Sequence, residues 1–401
     1  MARDKRSRSH WMGSVMIILL FFVGILLDDT GNIAGRATGG DSGCGDSGSS
    51  DSFICTETRP CGVGKTCLGG ACVAEKDTEK RTYVQGFDRE FINSTSPHVA
   101  TFDFPNDHKD YESVVLYMTI TCPGDPSNCD PRERTGELKV VHEGGEHFEI
   151  ARFITPYDIT RSGPESCEWA IDITPYQSLL RGPVTLRLFI QTSAVGERGW
   201  VISTRFGFLK GNPTTVPYRV INLWNHASLL YGDPGNPIDN HLQPKHVPLD
   251  DNTTGARVRA IVTGHGLGNT DNAAEFTRRW HRITAGRVEH QWTPWRDDCR
   301  HNTCSPQDGN WTPDRAGWCP GDSVLPMDID LRTTITPGGI IIVDYDIQPY
   351  ENCCRPGNSS CDPQNRDCCM SFAGKCKWNN DRHTSANWRI ASQLVLYRNA
   401  R

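Results

Sequence analysis

Short apolar runs recur from Tyr83 to the C-terminus, and almost every one is closed off by Gly, Pro, Asp or Asn. Ser113-Val-Val-Leu-Tyr-Met-Thr-Ile, Val184-Thr-Leu-Arg-Leu-Phe-Ile and Gly199-Trp-Val-Ile-Ser-Thr-Arg-Phe-Gly-Phe carry the pattern in the first half. Phe102-Asp-Phe, Leu138-Lys-Val-Val, Glu149-Ile-Ala-Arg-Phe-Ile and Trp169-Ala-Ile-Asp-Ile extend it. Tyr218-Arg-Val-Ile-Asn-Leu-Trp, Ala256-Arg-Val-Arg-Ala-Ile-Val-Thr and Arg287-Val-Glu-His-Gln-Trp continue it in the second. Met327-Asp-Ile-Asp-Leu, Gly339-Ile-Ile-Ile-Val-Asp-Tyr-Asp-Ile and Arg389-Ile-Ala-Ser-Gln-Leu-Val-Leu-Tyr complete it. β-Branched and aromatic residues suit a pleated surface, and frequent turns suit antiparallel neighbours. No long stretch repeats every 3.6 residues, so an all-β chain is expected, folded as two antiparallel sandwiches. The Pro-rich stretch 211–217 reads as the seam between them.

The first residues are different. Arg3, Lys5, Arg6 and Arg8 precede an apolar run from Trp11 to Leu27, with Gly35 and Ala37 as small residues at a cleavage-type spacing. This is a signal-peptide pattern, and residues 11–27 also fit a signal anchor. Either way the remainder is expected in the secretory lumen or outside the cell. A Gly/Ser/Asp-rich linker leads to Cys55, Cys61, Cys67 and Cys72 in a segment too poor in apolar residues to hold a core without covalent staples. The expected layout is a leader over 1–37, linker and small EGF-like cysteine module over 38–82, a first sandwich over 83–213, and a second over 214–401.

Within the second sandwich, 351–388 reads as a cysteine-rich insert, with Cys353, Cys354, Cys361, Cys368, Cys369 and Cys376. Local disulfides explain it better than zinc, because paired metal-type spacing with histidine is missing. Seventeen cysteines in all point to an oxidising compartment. Sequons at Asn93, Asn252, Asn310 and Asn358 agree with that compartment; Asn310, inside a candidate site loop, is the least expected to be used. A net charge of −6, with basic residues blocked together only at the start, argues against nucleic acid as a partner.

Polar clusters interrupt the strand pattern. Cys122 and Cys129 lie close on a Pro/Gly loop, where a disulfide would stiffen the platform for Glu133 and Arg134. A carboxylate beside guanidinium groups is a candidate base toward water; a charge-rich hairpin is the plainer alternative. Thr263-Gly-His265-Gly-Leu-Gly offers close backbone approach to a ligand, followed by Glu275 in the apolar run Ala-Ala-Glu-Phe and by His281. Structural histidines are the ordinary alternative, and no spacing among His265, Glu275 and His281 is diagnostic of a metal. Gln191 ends a strand and can hydrogen-bond but not transfer a proton, with Glu197 nearby. Asn310-Trp-Thr-Pro-Asp-Arg-Ala-Gly-Trp-Cys-Pro-Gly321 is too broken for a helix; Trp311 and Trp318 offer faces for sugar rings and Arg315 offers fixed donors. No serine sits in a nucleophile-elbow setting.

The run 310–321, with Arg152-Phe-Ile-Thr-Pro-Tyr157, Ile171-Asp-Ile-Thr and Ser178-Leu-Leu180, closely resembles segments of the peptide:N-glycosidase F family, in the same order. The resemblance runs from about Tyr83 to the C-terminus. It implies two adjacent eight-stranded antiparallel jelly rolls with the site between them. It also implies hydrolysis of the amide that joins asparagine to N-acetylglucosamine, without metal or other cofactor. The family's principal acid lies in a Cys-Asp-x-Trp-Asp-Arg pattern and maps onto Glu133, one methylene longer, with Arg132 before it in place of tryptophan. A second acid maps onto Glu275, the third onto Gln191. The sugar-side tryptophan after the third acid maps onto Ser193. His265 stands where the bacterial enzyme carries tryptophan, and Ala273 and Thr277 where it carries cysteines.

The implied catalytic set is Glu133, Glu275 and Gln191, and the implied substrate-binding set is Arg134, His265, Arg315, Trp318 and Trp311. Glu133 would activate water that Glu275 positions, Arg134 and Arg315 would stabilise charge on the amide oxygen, and Trp318 would line the sugar subsite. Cys122, Cys129, Cys299 and Cys319 are assigned to disulfides. Expected partners are N-linked glycoproteins or glycopeptides, and the chain is expected to be a monomer. The rival expectation is a glycan-binding or adhesion protein of the same fold with little turnover; two acids also permit a glycoside hydrolase.

Overall fold

The computed structural model describes residues 65–68, 71–74, 81–106, 111–157, 163, 166–194, 196–355 and 385–400. The leader over 1–37, the linker, Asn358 and the insert's Cys361, Cys368, Cys369 and Cys376 lie outside the described residues. So do Cys44, Cys55 and Cys61. Of the small cysteine module only the backbone of a hairpin is described, β1 (Lys65–Leu68) with β2 (Ala71–Ala74). Among the described residues no helix is long and apolar enough to cross a membrane.

The chain forms two antiparallel β-sandwiches. The first contains β3 (Arg81–Gln85), β4 (Glu90–Ile92), β5 (His98–Phe104), β6 (Tyr111–Thr121) and β7 (Thr135–Val141). It continues with β8 (His147–Ile154), β9 (Ser166–Asp172), β10 (Gly182–Ile190) and β11 (Trp200–Lys210). The second contains β12 (Thr215–Leu230), β13 (Lys245–Pro248), β14 (Gly255–His265), β15 (His281–Ala285) and β16 (Val288–Trp292). After β17 (Asp322–Ser323) it closes with β18 (Met327–Asp330), β19 (Ile340–Ile347) and β20 (Asn387–Asn399).

The first sandwich sets the order β17-β8-β7-β10-β5 against β3-β11-β6-β9, with β4 also on β11. It thus has eight principal strands, the short β4, and β17 borrowed from the second half. The second sets β12-β20-β14-β18 against β13-β19-β15-β16, four strands on four. Each expected apolar run lies in a strand. β13 and β15 escaped the sequence reading because Lys245-His-Val-Pro and His281-Arg-Ile-Thr-Ala are short and half polar.

Alternation fixes which face each strand buries. On β10, Val184, Leu186, Leu188 and Ile190 point inward and meet Leu116, Trp200 and Phe206 in one core. Phe104 meets Phe206 edge-on across the sandwich, with ring centres 4.9 Å apart. The second core gathers Val258, Ile283, Val343, Tyr345 and Trp388. Buried rings such as Trp200 and Trp388 each remove roughly 150–250 Å² from water, worth about 4–6 kcal/mol at ~25 cal/mol/Å².

β20 breaks the alternation: from Trp388 to Leu396 every side chain is buried. A strand reads this way when both faces of its sheet are covered. Here the outer face of β12-β20-β14-β18 packs on the first sandwich. Tyr176 donates to Gln393 at 3.0 Å, Arg259 to the Asp172 carbonyl at 3.0 Å, and Arg152 to the Arg389 carbonyl at 2.8 Å. Arg389 returns an ion pair to Glu137 at 2.7 Å. Ile154, Ile261, Trp318, Val324 and Ala391 form a small apolar cluster at the same junction.

Candidate active site

Four strand ends converge where the sandwiches meet. Glu133 and Arg134 precede β7, Ile154 ends β8, Gln191 follows β10, and His265 ends β14. Glu133, Arg134, Thr135, Ile154, Gln191, His265, Glu275 and Trp318 line one cavity of about 180 Å³. The structure therefore brings together both candidate acids, Gln191, His265, Arg134 and Trp318. Arg315 lies immediately behind the wall. Trp311 is half-exposed and outside the lining, and Ser193 and Glu197 are exposed.

The first wall is stiffened below Glu133. The Cys122–Cys129 disulfide closes its loop. Asp130, 1% exposed, accepts from Arg134 Nε at 2.7 Å, Thr192 Oγ1 at 2.6 Å and the Arg132 amide at 3.1 Å. Burial opposes the charge, but the bonds from Arg134, Thr192 and Arg132 outweigh it and hold the Asp130 carboxyl below its usual range. The expected neighbour of the base, Arg134, thus pairs with Asp130. Asp130 also ties the Glu133 loop to the Gln191 loop. Its sequence signal was its place beside Cys129.

The second wall depends on glycines that bring backbone to backbone, where close approach to a ligand was expected. A Cβ on Gly264 would lie 1.5 Å from the Ala274 carbonyl oxygen, and one on Gly266 (φ +102°) would lie 2.4 Å from the Ser385 carbonyl. That packing sets Glu275 beside His265. The Gly266 amide donates to Glu275 Oε2 at 2.9 Å, and Arg315 Nη1 to Oε1 at 3.3 Å. Burial nevertheless raises the Glu275 carboxyl to about 7, against Arg315 and Gly266. Nearby Glu133 adds to the rise.

Arg315 is buried, stacks 4.5 Å over the Trp318 ring and also donates to the Asn310 carbonyl. The 310–321 run is held by the Cys299–Cys319 disulfide and by Arg296, which bonds Asp298 at 2.6 Å and Asp322 at 2.7 Å. A Cys167–Cys304 disulfide, unassigned from sequence, ties β9 to the loop before this run across 137 residues. Cys354 is disulfide-bonded as well.

Trp318 is 2% exposed, so it gives the cavity an edge and little stacking face. Its indole donates to the Gly264 carbonyl at 2.7 Å, and its ring stacks on His265 with centres 5.2 Å apart. His281 is elsewhere: it lies in the second core between Tyr345 and Trp388, bonded to the Tyr345 hydroxyl at 2.7 Å. Among the described residues no three His, Cys, Asp or Glu side chains gather as metal ligands.

Tyr157 is a site residue the sequence reading quoted only as part of a family segment. The β7–β8 ladder continues past Thr135 and Ile154 through the Thr155 amide, which donates to the Arg134 carbonyl at 2.8 Å, so Tyr157 arrives beside Glu133. Its hydroxyl interacts with both Glu133 and Arg315, and burial followed by the Glu133 charge pushes it up to about 12. A Cβ on Gly309 would lie 2.2 Å from its ring, so the 309–311 loop presses directly on it.

A family model described as "Peptide-N-glycosidase F, C terminal" matches residues 237–365. The peptide-N(4)-(N-acetyl-beta-D-glucosaminyl)asparagine amidase F of Elizabethkingia miricola is 31% identical over 264 residues, covering 63% of this chain and 72% of that protein. A solved structure of recombinant peptide:N-glycanase F superposes with a TM-score of 0.64 at 25% identity, covering 80% of this chain and 96% of that one. The PNGase F structure from Flavobacterium meningosepticum, described as a glycosylasparaginase, gives 0.63 at 25% identity over the same shares. Relatedness at this level, across nearly three quarters of the bacterial amidase and both sandwiches of its fold, makes this chain a member of the peptide-N-glycosidase F family.

Proposed function

We propose that the chain is an amidase acting on N-glycoproteins or glycopeptides, converting glycosylated asparagine to aspartate and releasing the glycan as a glycosylamine. The observation that carries this reading is that Glu133 and Glu275 line one cavity of about 180 Å³, with the Glu275 carboxyl raised to about 7. One acid accepts a proton and the other gives one, and a Glu275 carboxyl raised to about 7 holds a proton to give near neutral pH.

Water gives a proton to Glu133 and its oxygen bonds to the asparagine side-chain carbon. The C–N bond breaks as the nitrogen takes a proton from Glu275. The new carboxyl stays on the peptide and the amine stays on the sugar, so one water is consumed. Proton exchange with solvent returns both acids to their starting states. Arg315 keeps Glu275 in place through its 3.3 Å contact, and Asp130 keeps Arg134 and the Gln191 loop in register. A secreted or luminal location, the sequons and the lack of a cofactor belong to the same reading.

The test is digestion of an N-glycopeptide in heavy-oxygen water, followed by mass measurement of the peptide. Heavy oxygen in a new aspartate supports the amidase, and Glu133→Gln should abolish it with the fold intact. A peptide keeping one sugar on asparagine would mean a glycosidase. Gln191, exposed at the cavity where the family has an acid, favours a second reading, glycan binding without turnover. Unchanged glycopeptide with measurable binding would support it.

A further inference from the structure

His265 is held by a chain of hydrogen bonds that starts in the other sandwich. Glu149 accepts from Arg152 Nε at 2.6 Å. Arg152 Nη1 donates to Thr263 Oγ1 at 3.0 Å, and Thr263 Oγ1 lies 2.9 Å from His265 Nε2. Thr263 is fully buried and already accepts from Arg152. Its own proton has one acceptor among the described residues, His265 Nε2. Turning the histidine so that Nε2 carries the proton would leave the Thr263 hydroxyl without an acceptor in a buried position, which native structures avoid. Nε2 is therefore the acceptor. Burial and the charges of Arg152, Arg389 and Arg315 push the imidazole down to about 3, so it stays neutral. A neutral ring with a bare Nε2 carries its single proton on Nδ1. Nδ1 has no partner among the described residues and is not sealed by packing. The ring lines the cavity, and its stack on Trp318 fixes its plane.

We propose that His265 presents a permanent Nδ1–H donor to a neutral carbonyl oxygen of the substrate, a catalytic task beyond lining the sugar subsite. This rests on the amidase reading. Of the cationic groups nearby, Arg134 bonds Asp130 through Nε and Nη2, and Arg315 bonds Glu275 and Asn310 through its two Nη atoms. A neutral imidazole polarises a carbonyl without bringing a net charge into the cavity, and it remains a donor across the physiological pH range. The substrate offers two such oxygens, the scissile amide and the 2-acetamido group of the first sugar. Thr263 acts through His265 as a positioning residue.

The experiment compares wild type, His265→Phe and Thr263→Ala on glycopeptides with acetylated and deacetylated first sugars. If the donor serves the scissile carbonyl, His265→Phe lowers kcat about 10²-fold with KM nearly unchanged, as for removal of one oxyanion donor. If it serves the acetamido group, KM rises and the variant no longer distinguishes the two substrates. Wild-type kcat and KM in His265→Phe would overturn the proposal. Nitrogen NMR of the free protein tests the donor without turnover. Nδ1-protonated imidazole from pH 5 to 8 is expected, with tautomer exchange appearing in Thr263→Ala. An Nε2-protonated ring, or titration within that range, would also overturn it. A wild type that fails to cleave any glycopeptide, yet shows the expected tautomer, would sink the amidase reading and leave the donor assignment standing.

Discussion

Arg315 lies 3.3 Å from Glu275 yet does not keep that carboxyl acidic. Burial prevails and leaves it near 7. If Glu275 delivers the proton to the leaving nitrogen, kcat should fall as pH rises past about 7, and Glu275→Gln should lose about 10²–10⁴-fold. A pH profile of single-turnover cleavage checks this; a flat profile between pH 6 and 9 would remove Glu275 from the acid role. The same shift bears on stability. A carboxyl raised from 4.5 to about 7 stabilises fully below 4.5 and loses that contribution, about 3 kcal/mol, as pH rises through 7.

Glu137 should show the opposite sign. Burial disfavours its charge, but Lys139 and Arg389 prevail and bring the carboxyl down to about 2. Its contribution, again about 3 kcal/mol, is present above 4.5 and is lost as pH falls through 2. Glu137→Gln leaves Arg389 without its 2.7 Å partner between the sandwiches and should cost about 3–5 kcal/mol. Urea unfolding at pH 7 measures it.

Asp130→Asn removes the charge that Arg134 and Thr192 share. Charged hydrogen bonds of this kind are worth about 1.5–3 kcal/mol, so a loss of that size is expected. Thermal unfolding would register the loss, and glycopeptide affinity would weaken as the Glu133 and Gln191 loops separate. An unchanged midpoint would show that Asp130 does not clamp them.

Gly264→Ala puts a methyl group 1.5 Å from the Ala274 carbonyl oxygen. Backbone must move, at a cost of about 3 kcal/mol. Because the same contact seats Glu275 beside His265, activity should fall with stability. Cleavage assays and denaturant titration on one preparation test the pair.

Tyr157→Phe removes the hydroxyl that interacts with Glu133 and Arg315. Cleavage should slow about 10-fold or more with little change in KM, as misplaced catalytic groups lose rate first. In a Glu133→Asp background the shorter acid sits farther from Tyr157, so the second substitution should add little. Equal losses in both backgrounds would show that Tyr157 does not act through Glu133.

Several features were legible before any coordinates. Runs such as Val184–Ile190 and Gly339–Ile347 bury alternate residues whatever surrounds them, so their strands follow from local pattern. The 310–321 run and the Arg152–Tyr157 segment pointed to the family because their order is specific. Glu133 and Glu275 were readable as acids for the same reason.

The chain by itself determined the strands, the sandwich class and the kind of groups available to the cavity, because those depend on short-range periodicity and residue chemistry. Tertiary structure alone decided that Arg134 bonds Asp130, that Cys167 reaches Cys304, and that Tyr157 stands beside Glu133 and Arg315. It also decided that Glu275 titrates near 7. The physical reason is that desolvation and partner choice are set by whatever packs alongside. Here some neighbours, such as Cys167 with Cys304 and Tyr157 with Arg315, come from segments more than a hundred residues apart, brought together only when two sandwiches share a buried sheet.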